Sequence, residues 1–106
     1  MTTRDMIKEN NKLREQLTPG NKEYVEDVIV FVRSSRVQQS VAEKRLLELT
    51  HDVIQGQSEG KTAAQWIGRD SSTLAEQITA ELPAVKPVEG LKYYIMMLGS
   101  RLRGYF

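Results

Sequence analysis

The stretch SVAEKRLLELTHDVIQGQS, Ser40 to Ser58, decides the fold class. Ala42, Leu46, Leu49 and Val53 recur three and four residues apart, and Leu47 and Ile54 widen the row into a full stripe. That period belongs to an α-helix with one face on a core. Ser40 and Glu43 make the pattern of a capping box, so the spacing predicts a helix from Val41 to about Ser58. Gly60 stands where a left-handed C-terminal cap belongs.

Working toward the N-terminus, KEYVEDVIVFVRSSR, Lys22 to Arg36, holds two apolar rows. Tyr24, Val28 and Phe31 form one, and Val25, Ile29 and Val32 the other. Its core VIVFV is β-branched enough for a buried strand. Charge decides for a helix. Glu23, Glu26 and Asp27 lie in the first turns and Arg33 and Arg36 near the end, each where the helix dipole favours that sign. Thr18 to Asn21 breaks the pattern, and Asn21 is the expected N-cap. Met1 to Leu17 reads as a polar first helix with a thin stripe of Met6, Leu13 and Leu17, Ile7 beside it.

Toward the C-terminus, Thr62 can cap a short helix AAQWI that Gly68 ends. Asp70, Ser71, Ser72 and Thr73 offer the next start, and Thr73 with Glu76 repeats the capping-box pattern. Leu74, Ala75, Ile78 and Leu82 supply that helix's inner face before Pro83 stops it. Pro83 to Pro87 reads as an extended linker, and a last helix is expected over about Val88 to Arg103. The chain is therefore read as one all-α domain, residues 1–106, a small bundle of five or six helices. It comprises a polar first helix (1–17), a core bundle (21–82) with a helix-turn-helix-like corner, and an apolar C-terminal helix (88–106). The two central helices should pack antiparallel, with Trp66 anchoring the corner.

Composition narrows the function. A chain of 106 residues is one domain's worth, and its net charge is +1 with acids and bases interleaved, so no strong field gathers nucleic acid. It has no cysteine, which removes disulfides and thiolate metal sites. MTTRDMIKENNKLREQL lacks the apolar run of a secretory signal, and no stretch approaches the ~20 apolar residues of a membrane span. A cytoplasmic protein is expected.

Two motifs invite a stronger reading. GQSEGKT, Gly56 to Thr62, looks like a phosphate-binding loop, but that loop needs a glycine at Gln55, and Gly56 is one residue too close. A long helix precedes it where a buried strand belongs. The simpler reading is a C-cap glycine followed by an N-cap threonine. Ala64, Gly68 and Leu74 have the spacing of a helix-turn-helix. Its second helix, Ser71 to Leu82, carries Glu76 and Glu81 and no base. Only Arg69, Gln77, Ser71, Ser72 and Thr73 could contact DNA, so nucleic acid is a disfavoured partner.

Catalysis lacks its parts. His51 is the one histidine, and His51–Asp52 has no further histidines to complete a metal-dependent hydrolase site. Glu43, Glu48, Asp52 and Glu59 are interspersed with Lys44 and Arg45, the pattern of a solvated face. No enzyme activity, metal or cofactor is expected.

The unusual segment is EGLKYYIMMLGSRLRGYF, Glu89 to Phe106. On a helix Leu91, Tyr94, Ile95, Leu98 and Leu102 form one stripe, and Tyr93, Met96 and Met97 spread it around most of the circumference. Lys92, Arg101 and Arg103 are basic, and Tyr105 and Phe106 follow. A last core helix, a partner surface and a membrane-surface helix all fit this pattern. That much apolar area exceeds what a small bundle buries, so self-association, a homodimer for instance, or a protein partner is expected. The expected interaction surface is Leu91, Tyr94, Ile95, Met97, Leu98, Leu102, Tyr105 and Phe106.

EKRLLELTHDVIQGQSEGKTAAQWIGRDSSTLAEQITAELP, Glu43 to Pro83, resembles a group of uncharacterised helical domains of Gram-positive bacteria. These form cytosolic heads of small membrane proteins and are similar to HAAS-like signalling domains. The shared pattern is an amphipathic helix, then Gly60-Lys61-Thr62-Ala63, then Ile67-Gly68, then a helix ending near Leu82-Pro83. Asn21 to Arg36 also fits the group, and the likeness covers about two-thirds of the chain. In that group a membrane portion often follows the head, so the chain would be either a stand-alone member or part of a longer protein. The resemblance implies a non-enzymatic interaction or regulatory domain at the cytosolic membrane face. The alternative is a helix-turn-helix DNA-binding regulator using residues 62–82.

Overall fold

In the computed structural model residues 1–85 are described, and they form five helices: α1 (Thr3–Arg14), α2 (Pro19–Arg33), α3 (Gln39–Ser58), α4 (Ala63–Ile67) and α5 (Ser71–Glu81). The bundle is all-α, and among the described residues the only β pairing is one isolated antiparallel bridge, Val37 with Ala84. The expected C-terminal helix and its interaction surface, Leu91, Tyr94, Ile95, Met97, Leu98, Leu102, Tyr105 and Phe106, lie outside the described residues.

Burial settles the helix-or-strand ambiguity of VIVFV. Val25, Val28, Ile29 and Val32 are all buried on one face of α2. Burying each such side chain gains roughly 1.5–3 kcal/mol, against a helix-propensity loss of at most ~0.7 kcal/mol. The facing stripe of α3 is the expected one, Ala42, Leu46, Leu49 and Val53. Leu17, Ala63, Leu74, Ala75 and Ile78 complete the core. Phe31 departs from its row. It is 43% exposed at the α2–α5 rim, beside Asp27, Ser71 and Ser72.

Cross-links fix the helix directions. Arg33 near the end of α2 meets Glu43 near the start of α3, while Asn21 near the start of α2 meets Gln57 near the end of α3. The two central helices are therefore antiparallel, as their lengths and short loop predict. Helix α1 lies along α3 in the same direction, with Asn10 at Thr50 and Gln16 at Gln57. Helix α5 lies along α2, from Arg69 at Tyr24 to Val85 at Arg36.

The helix starts correct several sequence expectations. Thr18, not Asn21, precedes α2, because Pro19 at the first position needs no N–H partner and fixes the entry angle. Asn21 falls inside the helix and is buried. Helix α3 begins at Gln39, and no Ser40–Glu43 box forms, because Glu43 turns inward to Arg33. Asp70 rather than Thr73 caps α5, accepting the Thr73 N–H at 2.7 Å, and Glu76 is exposed. Thr62 does cap α4, in a reciprocal box with Gln65. Gly60 and Gly68 take the left-handed conformation expected of them, with φ of 77° and 87°.

The segment after Pro83 is extended but not a free linker. The Gln38 N–H donates to the Pro83 carbonyl at 2.9 Å, and the Val85 N–H to the Arg36 carbonyl at 3.0 Å. This two-bond clasp holds the chain against the α2–α3 loop.

Candidate functional site

A cleft of about 440 Å³ opens where the start of α2, the end of α3 and the start of α4 converge. An amide hub builds it. The Asn21 Nδ2 donates to Gln57 Oε1 at 3.0 Å, and Asn21 Oδ1 accepts the Ala63 N–H at 2.7 Å. Gln57 Oε1 also takes the Thr18 N–H at 2.8 Å, and its Nε2 donates to the Gln16 carbonyl at 2.8 Å. One glutamine thus ties the α1–α2 turn to α3, and one asparagine ties α2 to α4. Thr18, Gly20, Tyr24, Gly60, Lys61 and Thr62 line the rest of the cleft.

The GKT segment therefore borders the cleft, but its backbone cannot form a phosphate cradle. The Gly60 N–H is bound to Gln57, the Lys61 N–H to the Gly56 carbonyl at 2.9 Å, and the Ala63 N–H to Asn21. Donors already committed to carbonyl and amide oxygens are not free to wrap an anion. Gly60 closes α3 and Thr62 opens α4.

Among the described residues the titratable groups lining the cleft are Lys61 and Tyr24, with no carboxylate. The Tyr24 hydroxyl donates to the Arg69 carbonyl at 2.7 Å. Burial, with the Asp70 charge adding to it, raises the Tyr24 pKa above its ordinary 10.0. This set offers shape, one cation and hydroxyls, and it pairs no acid with a base. His51 is exposed on α3, away from the cleft. Among the described residues no three His, Cys, Asp or Glu side chains gather as metal ligands.

At the corner, Trp66 does not plug the core. It is 37% exposed and lies over Gly56 of α3. The inward positions of α4 are Ala63, buried, and Ile67, one turn on and half-buried against the core. Trp66 precedes Ile67 by one residue and so is rotated about 100° off that face. Ala63, not Ala64, is likewise the buried small residue.

The alternative DNA contacts sit together at this corner but are partly engaged. The Arg69 guanidinium bonds Gln77, and Asp70 places a carboxylate at the N-terminus of α5. The Thr73 N–H and hydroxyl hold that carboxyl below its ordinary 3.8. Ser72, Thr73, Glu76, Gln77 and Glu81 are exposed and Ser71 is half-buried. An acid at the leading end and two along the open face repel a phosphate backbone.

The amide hub escaped sequence reasoning, although a signal was present. Asn21 stands four residues before Val25 and Gln57 four after Val53, each extending an apolar stripe with an amide. Asn10, between Met6 and Leu13, follows the same rule. Among the described residues no helix is long and apolar enough to cross a membrane.

No protein-family model, curated protein or solved structure matches this chain.

Proposed function

We propose that this protein is a non-enzymatic interaction or regulatory domain whose working surface is the apolar segment Leu91 to Phe106, carried by a helical head at the cytosolic membrane face. The observation that carries this reading is the clasp of Val85 on Arg36. The clasp ties the chain to the bundle as far as Val85, the last described residue before that segment. Val85 is itself 56% exposed there. The resemblance of Glu43 to Pro83 to HAAS-like cytosolic heads points the same way. Self-association through Leu91, Tyr94, Ile95, Met97, Leu98, Leu102, Tyr105 and Phe106, or capture of a protein partner, is the mode of action. A membrane surface is the second binding target of the same stripe.

Light scattering and liposome flotation on the whole chain, a double variant Ile95→Asp/Leu98→Asp, and a chain cut after Pro87 test the proposal. The whole chain is expected to associate or float, and the two altered chains to remain helical monomers that do neither. If all three are folded, monomeric and indifferent to lipid, the segment is neither a self-association nor a lipid-binding surface. The corner around Arg69 then becomes the place to look, with salt-dependent DNA binding as its assay.

A further inference from the structure

Helix α1 meets α3 through a seam that is polar at its centre. Its buried residues are Met6 and Asn10, and the contiguous apolar core among the described residues draws on Leu17 and on α2 to α5 but not on Met6. Asn10 is fully buried. Its Oδ1 accepts from Arg14 Nε at 3.0 Å and from Thr50 Oγ1 at 3.1 Å. Its Nδ2 is buried and meets no acceptor among the described residues. A buried amide donor without a partner favours any state that returns it to water.

We propose that α1 is a releasable cover on α3, opening while α2 to α5 stay folded, and that Asn10 sets how readily it opens. The partners left behind need little from it. The Thr50 hydroxyl also reaches the Leu46 carbonyl at 3.1 Å, so it keeps a partner when Asn10 leaves. Arg14 also holds Glu26 of α2 at 3.0 Å, a partly exposed pair that water can replace. The opening has a defined end. Leu17 is in the core, and Gln57 grips both the Gln16 carbonyl and the Thr18 N–H, so the hinge falls at Glu15. Release uncovers Thr50 between Leu47 and Ile54, which stand one turn to either side on α3 and are already half-buried. The fraction of open molecules then governs access to this face of the bundle.

Amide hydrogen exchange on the whole chain, read residue by residue, tests the inference. Amides of Met6 to Arg14 are expected to exchange roughly 100-fold faster than those of Leu46 to Val53, as a separately opening unit requires. Asn10→Leu matches the amide in heavy-atom count and removes the orphan donor, and it should slow exchange in α1 roughly tenfold while leaving α3 unchanged. Equal protection of α1 and α3 in the unaltered chain overturns the proposal, whether or not the variant folds. So does an Asn10→Leu chain in which α1 exchanges as fast as before, or faster.

Discussion

The Arg33 guanidinium forks onto the Glu43 carboxylate, with Nε to Oε2 and Nη2 to Oε1 both 2.9 Å. The pair staples the last turn of α2 to the first turns of α3 across the intervening loop. Its two ends differ in environment: the Glu43 side chain is 1% exposed and that of Arg33 35%. Removing Arg33 leaves a buried charge uncompensated. Arg33→Ala should therefore destabilise the fold by about 3 kcal/mol, the low end for a broken buried pair because water reaches this site from the arginine side. Arg33→Lys should recover less than half of that loss, because an ammonium cannot fork. Urea unfolding followed by circular dichroism measures both.

Asn21→Ala removes the acceptor for the buried Ala63 N–H and the donor to Gln57 together. Stranding a buried backbone donor costs about 1–3 kcal/mol. The loss should be local as well as global, with faster amide exchange at Ala63 than at Leu49. Exchange that rises equally at both positions would mean that the hub does not hold α4 in particular.

Gly56 has no substitute in this packing. A Cβ built there would stand 2.3 Å from the Trp66 Cγ and 2.7 Å from its Cβ. The Trp66 Cβ is fixed to the backbone of α4, so rotating the ring does not relieve the contact. Gly56→Ala gains up to ~1 kcal/mol in helix propensity, yet forcing α4 off α3 should cost ~1–3 kcal/mol and leave the variant less stable. Trp66 is the sole tryptophan, so its emission should shift to the red as the ring gains solvent. Unchanged emission with raised stability would contradict this packing.

Acid should weaken the cap of α5. Bonds from Thr73 lower the Asp70 pKa below 3.8, and bonds from Thr2 lower that of Asp5 in the same direction. A carboxyl more acidic folded than unfolded stabilises the fold when ionised. That contribution is complete above the ordinary value and is lost as pH falls through the lower folded value. The melting temperature should accordingly drop below about pH 4. Asp70→Asn, which keeps a cap oxygen without a titrating charge, should flatten that part of the profile. A profile unchanged by Asp70→Asn would remove Asp70 from the account.

The existence of α2 to α5 was legible in the residue pattern, because period and glycine chemistry are local. The stripe Ala42, Leu46, Leu49, Val53 repeats at the helical interval, and only a left-handed residue ends α3 at Gly60 and α4 at Gly68 as this chain does. The failed phosphate loop was legible too, since its spacing is a local property. Which polar residues turn inward depends on the packing of helix against helix. Glu43 leaves a capping box for Arg33, and Asn21 leaves a cap for Ala63 and Gln57. A buried carboxylate or amide needs a partner from another helix, and no local pattern states which helix will be there. Trp66 shows the converse. Expected as the anchor of the corner, it packs α4 onto α3 from the rim: α4 is too short to bury more than Ala63 and Ile67, so the ring rests over Gly56, the one α3 residue without a side chain.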